Sequence, residues 1–322
     1  MGMAKRKYSK QGNMEPAEMT LLFSLPGGPV NNYIDLSQCA SIVNRRFYRQ
    51  GINWAVADFK VITSGGVTGT MSVQRIPHTW VAANAWKKAF NAWNKQQKEA
   101  LADAGGQSAA AKFRDFKIHL DTTHVANGFA GNLLPAAANG VAATPGEWEA
   151  SSIVLPMSET DGSSLVQPGE RSLHMVGINV NGTTSRGIIE GYADSRAYPQ
   201  SPDPVSPALD SSANWLARMF DVGNDISEIL DNATDTNDDL PYDQVNYPGG
   251  ETQMAALTYH DGANVTATTV GGVTHLAGGQ FYCGLIRFDT NLTIPGGESA
   301  VLKITLVPGS HRGYLCEPMG DV

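Results

Sequence analysis

The sequence predicts an all-β fold: a single jelly-roll β-sandwich of eight strands in Greek-key order, with one inserted amphipathic helix and long surface loops. Three observations carry this. Eight strong strand-like runs follow residue 50. Only one long stretch has strong helical period, and it lies between the second and third runs, so strands and helices do not alternate as a parallel sheet requires. The chain holds 34 glycines and 17 prolines in 322 residues, enough turn residues for many short strands.

Taken in order, residues 1–43 read as a basic N-terminal arm. Lys5, Arg6, Lys7 and Lys10 sit among Gly, Ser, Gln and Asn, with too little apolar content to fold alone. The run Met19–Leu25 is an edge strand or a continuation of the arm. At 44–61, NRRFYRQGINWAVADFKV, three arginines (Arg45, Arg46, Arg49) interleave with Phe47 and Tyr48. After Gly51 an alternating strand places Ala55, Ala57, Phe59 and Val61 on one face. Fixed cations at the root of a sheet suit a polyanion better than a small substrate. The plain alternative is a solvated turn with ordinary surface arginines.

Thr70–Ile76 is the second strand, ended by Pro77. A helix follows over 80–102, with Thr79 as N-cap and Gly105-Gly106 beyond its end. Its aromatic side carries Trp86, Phe90 and Trp93, and the other side carries Lys87, Lys88, Lys95 and Lys98. Asp115–Asp121 alternates, with Phe116, Ile118 and Leu120 inward and Lys117, His119 and Asp121 outward. Trp148–Leu155 and Ser172–Val180 are strands. A proline-rich, then acidic, insertion spans about 199–250, with short helices at Trp215–Phe220 and Ile226–Leu230. Thr252–His260, Phe281–Asp289 and Ala300–Val307 complete the strong strands, and Val265–Val270 is a weaker one. The glycine pairs at 27–28, 65–66, 271–272, 278–279 and 296–297 read as turns.

The net charge of −8 conceals an asymmetry. Residues 1–120 hold sixteen Lys/Arg against seven Asp/Glu, and residues 121–322 hold seven against twenty-four. Such a division suggests one basic region and an acidic surface elsewhere. Cys39, Cys283 and Cys316 follow no metal-ligand spacing, and no apolar leader or membrane span is evident, so the expectation is synthesis in a reducing cytoplasm.

Enzyme signatures are absent from the sequence: it has no nucleophile elbow and no phosphate loop, and the expectation is a non-enzyme. His119, Asp121 and His124 spell H-x-D-x-x-H, a weak metal motif. Asp231, Asp235, Asp238 and Asp239 lie in an acidic loop whose hard oxygens would suit a structural calcium, although it lacks EF-hand spacing. No cofactor is otherwise implied.

Several stretches resemble capsid proteins of small circular Rep-encoding single-stranded DNA viruses of the aquatic, environmental type. They are N-R-R-F-Y-R-Q-G at 44–51, T-W-V-A-A-N-A-W-K-K at 79–88, Y-P-Q-S-P-D-P-V at 198–205, N-D-D-L-P-Y at 237–242, Y-P-G-G at 247–250 and H-R-G-Y-L-C-E-P-M at 311–319. The resemblance runs from about residue 44 to the C-terminus. It implies a virion structural protein whose domain over 44–322 self-assembles into an icosahedral shell and packages circular single-stranded DNA through sequence-independent charge. Such strands are lettered B to I, with a helix commonly between C and D. That implies B near 52–63, C near 70–76, the helix at 80–102, D near 115–121, E and F near 148–155 and 172–180, and G, H and I near 252–260, 281–289 and 300–307.

The segment before B would face the genome, making Lys5, Arg6, Lys7, Lys10, Arg45, Arg46 and Arg49 the DNA-contacting cations and Phe47 and Tyr48 the stacking residues. Nuclear import by the basic arm and an unspecified host receptor belong to the same expectation; a membrane partner does not. Many such capsids carry a longer arginine-rich arm, so Lys87 and Lys88 would supplement this short one. The alternative is a soluble jelly-roll carbohydrate-binding module.

Overall fold

The computed structural model describes residues 15–110, 113–136, 141–155, 159–160, 165–166, 169–195, 215–218, 256–266 and 272–322. Eight strands form two four-stranded antiparallel sheets. They are β1 (Thr20–Ser24), β2 (Gly28–Asp35), β3 (Ile52–Thr63), β4 (Thr68–Arg75), β5 (Thr258–Val265), β6 (Val273–Phe281), β7 (Leu285–Thr293) and β8 (Ala300–Leu306). One sheet runs β1-β8-β3-β6, and Cys316–Pro318 also pairs with the start of β3. The other runs β5-β4-β7-β2. The two sheets share one apolar core, to which Phe23, Phe59, Leu302 and Ile304 contribute from the first, and Ile34, Val73, Ile286 and Phe288 from the second. The mostly-β sandwich is thus as expected.

The sandwich begins earlier than the sequence reading placed it. Thr20–Ser24 is the edge strand that Met19–Leu25 suggested, but residues 28–43, read as arm, supply β2 and most of the helix α1 (Leu36–Asn44). Four pairs join strands from opposite ends of the set: β1 with β8, β2 with β7, β3 with β6, β4 with β5. Their registers bring Thr20 beside Thr305, Asp35 beside Leu285, Trp54 beside Phe281 and Arg75 beside Thr258. All four of those positions lie at one end of the sandwich. Both termini and the long connections 36–51 and 76–257 leave from that end, and only short links cross the other.

The 76–257 excursion builds a second apolar cluster around the helix α2 (Trp80–Asp103), capped by Thr79 as expected. Ala82, Ala85, Ala89 and Ala92 line its buried side, and their small side chains permit close approach of α4 (Ile188–Asp194). Gly106 N–H donates to the Leu101 carbonyl, closing the helix end. A small mixed sheet of Ser152–Leu155, Gly169–His174, Ser185–Gly187 and Val180–Asn181 packs beside it. The strands expected near 148–155 and 172–180 therefore belong to this excursion and not to the sandwich. The short helix α3 (Thr122–Asn127) precedes that sheet, and Trp215–Arg218 is helical as expected. Among the described residues no helix is long and apolar enough to cross a membrane.

Three strand readings change. In β3, Trp54 and Val56 are buried in place of Ala55 and Ala57, while Phe59 and Val61 are buried as expected. The register with β8 slips between Asp58 and Val56, so Ala57 is an extra bulged residue that inverts the alternation. Asp115–Asp121 is extended, but its outward residues Lys117, His119 and Asp121 are buried as well. The strand Ala300–Val307 is found as β8, but those before it are out of phase: β6 occupies 273–281, including the glycine pair 278–279, and 282–284 is a buried turn before β7. The proline-rich part of the insertion, the Ile226–Leu230 helix and most of 199–250 lie outside the described residues.

Candidate nucleic-acid interface

The arginine segment follows directly from how α1 ends. Asp35 caps the helix start, its Oδ1 accepting from the N–H groups of Ser37 (2.9 Å) and Gln38 (3.2 Å). Its Oδ2 accepts from Gln50 Nε2 and Trp148 Nε1, both at 3.0 Å. Burial pushes the Asp35 carboxyl up to about 6, against the lowering effect of these donors. After Asn44 the chain turns through Arg45, whose φ of 52° is left-handed. From there side chains alternate: Arg46 and Arg49 outward, Tyr48 and Gln50 inward.

Tyr48 is only 1% exposed, its ring 5.5 Å from Tyr314 and 6.0 Å from Trp54, and its hydroxyl donates to the Arg312 carbonyl. No base can stack on it, so that expectation is overturned by burial. Phe47 remains half-buried, with Phe113 edge-on at 5.3 Å and Trp148 at 6.1 Å. Gly51 must lack a side chain, because a Cβ there would lie 2.4 Å from the Trp86 ring.

Between this segment, α2, residues 110 and 113–116 and the C-terminal 311–318 lies a groove of about 1020 Å³. Arg46, Arg49, Arg114 and Arg312 line it, with Phe47, Trp93 and Phe113 among its aromatic walls. The Arg114 guanidinium sits 4.7 Å over the Trp93 ring and is held by Asn94 Oδ1 at 2.9 Å. The Arg49 guanidinium lies 5.6 Å over Phe47 and pairs with Asp115 at 3.5 Å. Arg312 donates to the Phe47 carbonyl. Among the described residues Asp115 is the only carboxylate in the lining. Burial raises its proton affinity, and its Oδ2 accepts from Gln50 N–H at 2.9 Å.

Arg46 and Arg49 are therefore brought together as expected, whereas Arg45 is exposed outside the lining. Arg114, Arg312, Trp93 and Phe113 were not singled out as binding residues. They are far apart in sequence, and only the cation-aromatic pairing repeated at 113–114 hints at them. Arg46 also pairs with Glu15 at 3.1 Å and donates to the Pro16 carbonyl, so the basic arm joins the fold beside the groove. Lys5, Arg6, Lys7 and Lys10 themselves lie outside the described residues. Lys87 and Lys88 are engaged with the protein, donating to the Gly320 carbonyl at 3.0 Å and to Ser195 Oγ at 2.8 Å.

His119, Asp121 and His124 form a packing cluster. Asp121 caps α3 and accepts from the Tyr33 hydroxyl at 2.9 Å. His124 Nδ1 accepts from Leu120 N–H at 3.0 Å, so its Nε2 donates to Asn132 Oδ1 at 2.8 Å. Both ring nitrogens are thus occupied, and burial lowers His124 to about 3. Among the described residues no group of three His, Cys, Asp or Glu side chains is arranged to hold a metal. The candidate calcium residues Asp231, Asp235, Asp238 and Asp239 lie outside the described residues. Comparison of the chain with protein-family models, curated proteins and solved structures returned no match.

Proposed function

We propose that this chain is a structural shell protein, a jelly roll that assembles with copies of itself into a closed icosahedral capsid around single-stranded DNA. The observation carrying the reading is the nested pairing of first strand with last, second with seventh, third with sixth and fourth with fifth. A long antiparallel ribbon rolled upon itself gives that order, and two sheets result. Lettered B to I in chain order, the sheets become B-I-D-G and C-H-E-F: the strands implied as B and C move to D and E, the one near 252–260 moves from G to F, and those implied as H and I keep their letters. The helix between C and D is then α1, and α2 belongs to the excursion between E and F.

The basic segment accordingly occupies the C–D connection, at the end of the sandwich from which the arm leaves. Arg45, Arg46 and Arg49 with the arm's lysines and arginine make a cationic end that meets phosphate by counterion release, without reading bases. Capsid assembly buries the surfaces left open on each copy through symmetric contacts.

Purified full-length protein is expected to form closed particles in electron micrographs, with a 260/280 nm absorbance ratio raised by enclosed DNA. Replacing Arg45, Arg46 and Arg49 by Ala is expected to lower that ratio. A sugar-binding module would instead run as a single species near 34.3 kDa in size exclusion, and that result at every salt and pH would remove the shell reading.

A further inference from the structure

We infer that the groove at the C–D end is a site for single-stranded nucleic acid, gripping one or two nucleotides per subunit, with bases stacked on Phe113 and phosphates on Arg46, Arg49 and Arg312. The inference rests on the genome-enclosing reading and adds where on the subunit the strand is held.

Among the described residues four guanidinium groups face one carboxylate in the lining, and that carboxylate is already occupied by Arg49 and the Gln50 N–H. The local surplus is positive in a chain whose net charge is −8, so the groove selects anions against the field of the rest of the molecule. Its aromatic walls select which anion. Phe113 is 58% exposed, the most exposed aromatic among the described lining residues, and Phe47 meets it edge-on. Arg114 on Trp93 and Arg49 on Phe47 show that planar cations already stack there. A nucleobase offers a flat π-face to such a surface only when it is not paired within a duplex, so the occupant is single-stranded.

At about 1020 Å³ the groove matches the upper range of small-ligand sites, enough for one or two nucleotides. Arg46 is held by the Pro16 carbonyl and by an exposed pair with Glu15, their side chains 39% and 54% accessible, and such a surface pair yields readily to a phosphate. The competing occupant is an acidic peptide, such as the aspartate-rich 231–243 segment of a second copy.

The test uses full-length protein, with the fluorescence of Trp86 and Trp93 in the groove as readout. The probes are a ten-nucleotide oligothymidylate, thymidine monophosphate, inorganic phosphate, a ten-base-pair duplex and a peptide of residues 231–243. Oligothymidylate is expected to bind more tightly than duplex, phosphate or peptide. Arg46→Ala with Arg49→Ala and Arg312→Ala should reduce its affinity at least tenfold and flatten the log–log salt slope by about 2, near 0.7 for each lost contact. Phe113→Ala should cost about tenfold in affinity and leave the salt slope unchanged. Should the triple variant unfold, Arg46→Ala and Phe113→Ala, both at exposed side chains, carry the test singly.

Equal affinity in wild type and variants, equal binding of duplex or phosphate, or preference for the peptide would each overturn the inference. Micrographs of the same preparations separate it from the shell reading. Particles with groove-independent binding refute the site alone. Groove-dependent binding without particles refutes the shell alone.

Discussion

Gln50 joins three separate stretches of chain through one fully buried amide. Its Nε2 donates to Asp35 Oδ2 and the Ile118 carbonyl, both at 3.0 Å, and its Oε1 accepts the Ile118 N–H at 2.6 Å. The amide thus replaces a neighbouring strand for the extended 115–121 segment. Gln50→Leu keeps the size but strands the Ile118 N–H and carbonyl and leaves Asp35 Oδ2 to Trp148 Nε1, and an unmade buried hydrogen bond costs about 1–3 kcal/mol. We expect a loss of about 3 kcal/mol in urea unfolding; a loss under 1 kcal/mol would mean water replaces the amide.

Four buried histidines set a second residue-scale expectation. Burial lowers His78, His119 and His174 to about 4 and His124 to about 3. Each therefore binds its proton less tightly folded than unfolded. Between pH 6.5 and about 4 the unfolded chain holds the extra protons, so this contribution to stability falls as pH drops through that window. Asp35, raised to about 6, acts in the opposite sense between about pH 4 and 6, and Asp115 and Glu190 shift in its direction. With four histidines outweighing these carboxylates, the melting temperature is expected to fall from pH 7 to pH 4.5, and to fall less in His124→Asn. A flat profile would show that the rings gain water as they charge.

At the scale of elements, what could be read depended on whether a segment's own chemistry decided its conformation. α2 was legible because Thr79, the 3.6-residue period and Gly105-Gly106 all agree. β4 and β8 were legible from alternation. α1 was not: it is nine residues long, and its start depends on a buried Asp35 whose other partners are Gln50 and Trp148. β6 was missed because its glycine pair mimics a turn. Those glycines answer a neighbour instead: a Cβ on Gly278 would lie 2.1 Å from the carbonyl oxygen of Ala57, the bulged residue of β3. Gly278→Ala is accordingly expected to destabilise by more than 3 kcal/mol, because backbone and not a flexible side chain stands in the way. A melting temperature within a few degrees of wild type would show that the bulge can flatten.

For the whole molecule, the charge asymmetry of the sequence became a place. Arg46 and Arg49 come from the basic first 120 residues, as their clustering suggested, and so does Arg114, which lies apart from them in the 76–257 excursion, but Arg312 comes from the acidic remainder. Only folding brings those four together, so half of the groove's cations were illegible. The reason is topological: both termini and the two long connections converge on one end, and distant residues meet there.

The pairing of β1 with β8 also has a temporal side. Thr20 lies opposite Thr305, so the opening strand waits for nearly three hundred further residues to leave the ribosome before its partner exists. Closing a loop of that span costs about 3 kcal/mol more than closing a ten-residue hairpin. A chain cut short before β8 therefore carries β1 as an orphan edge that it cannot cover.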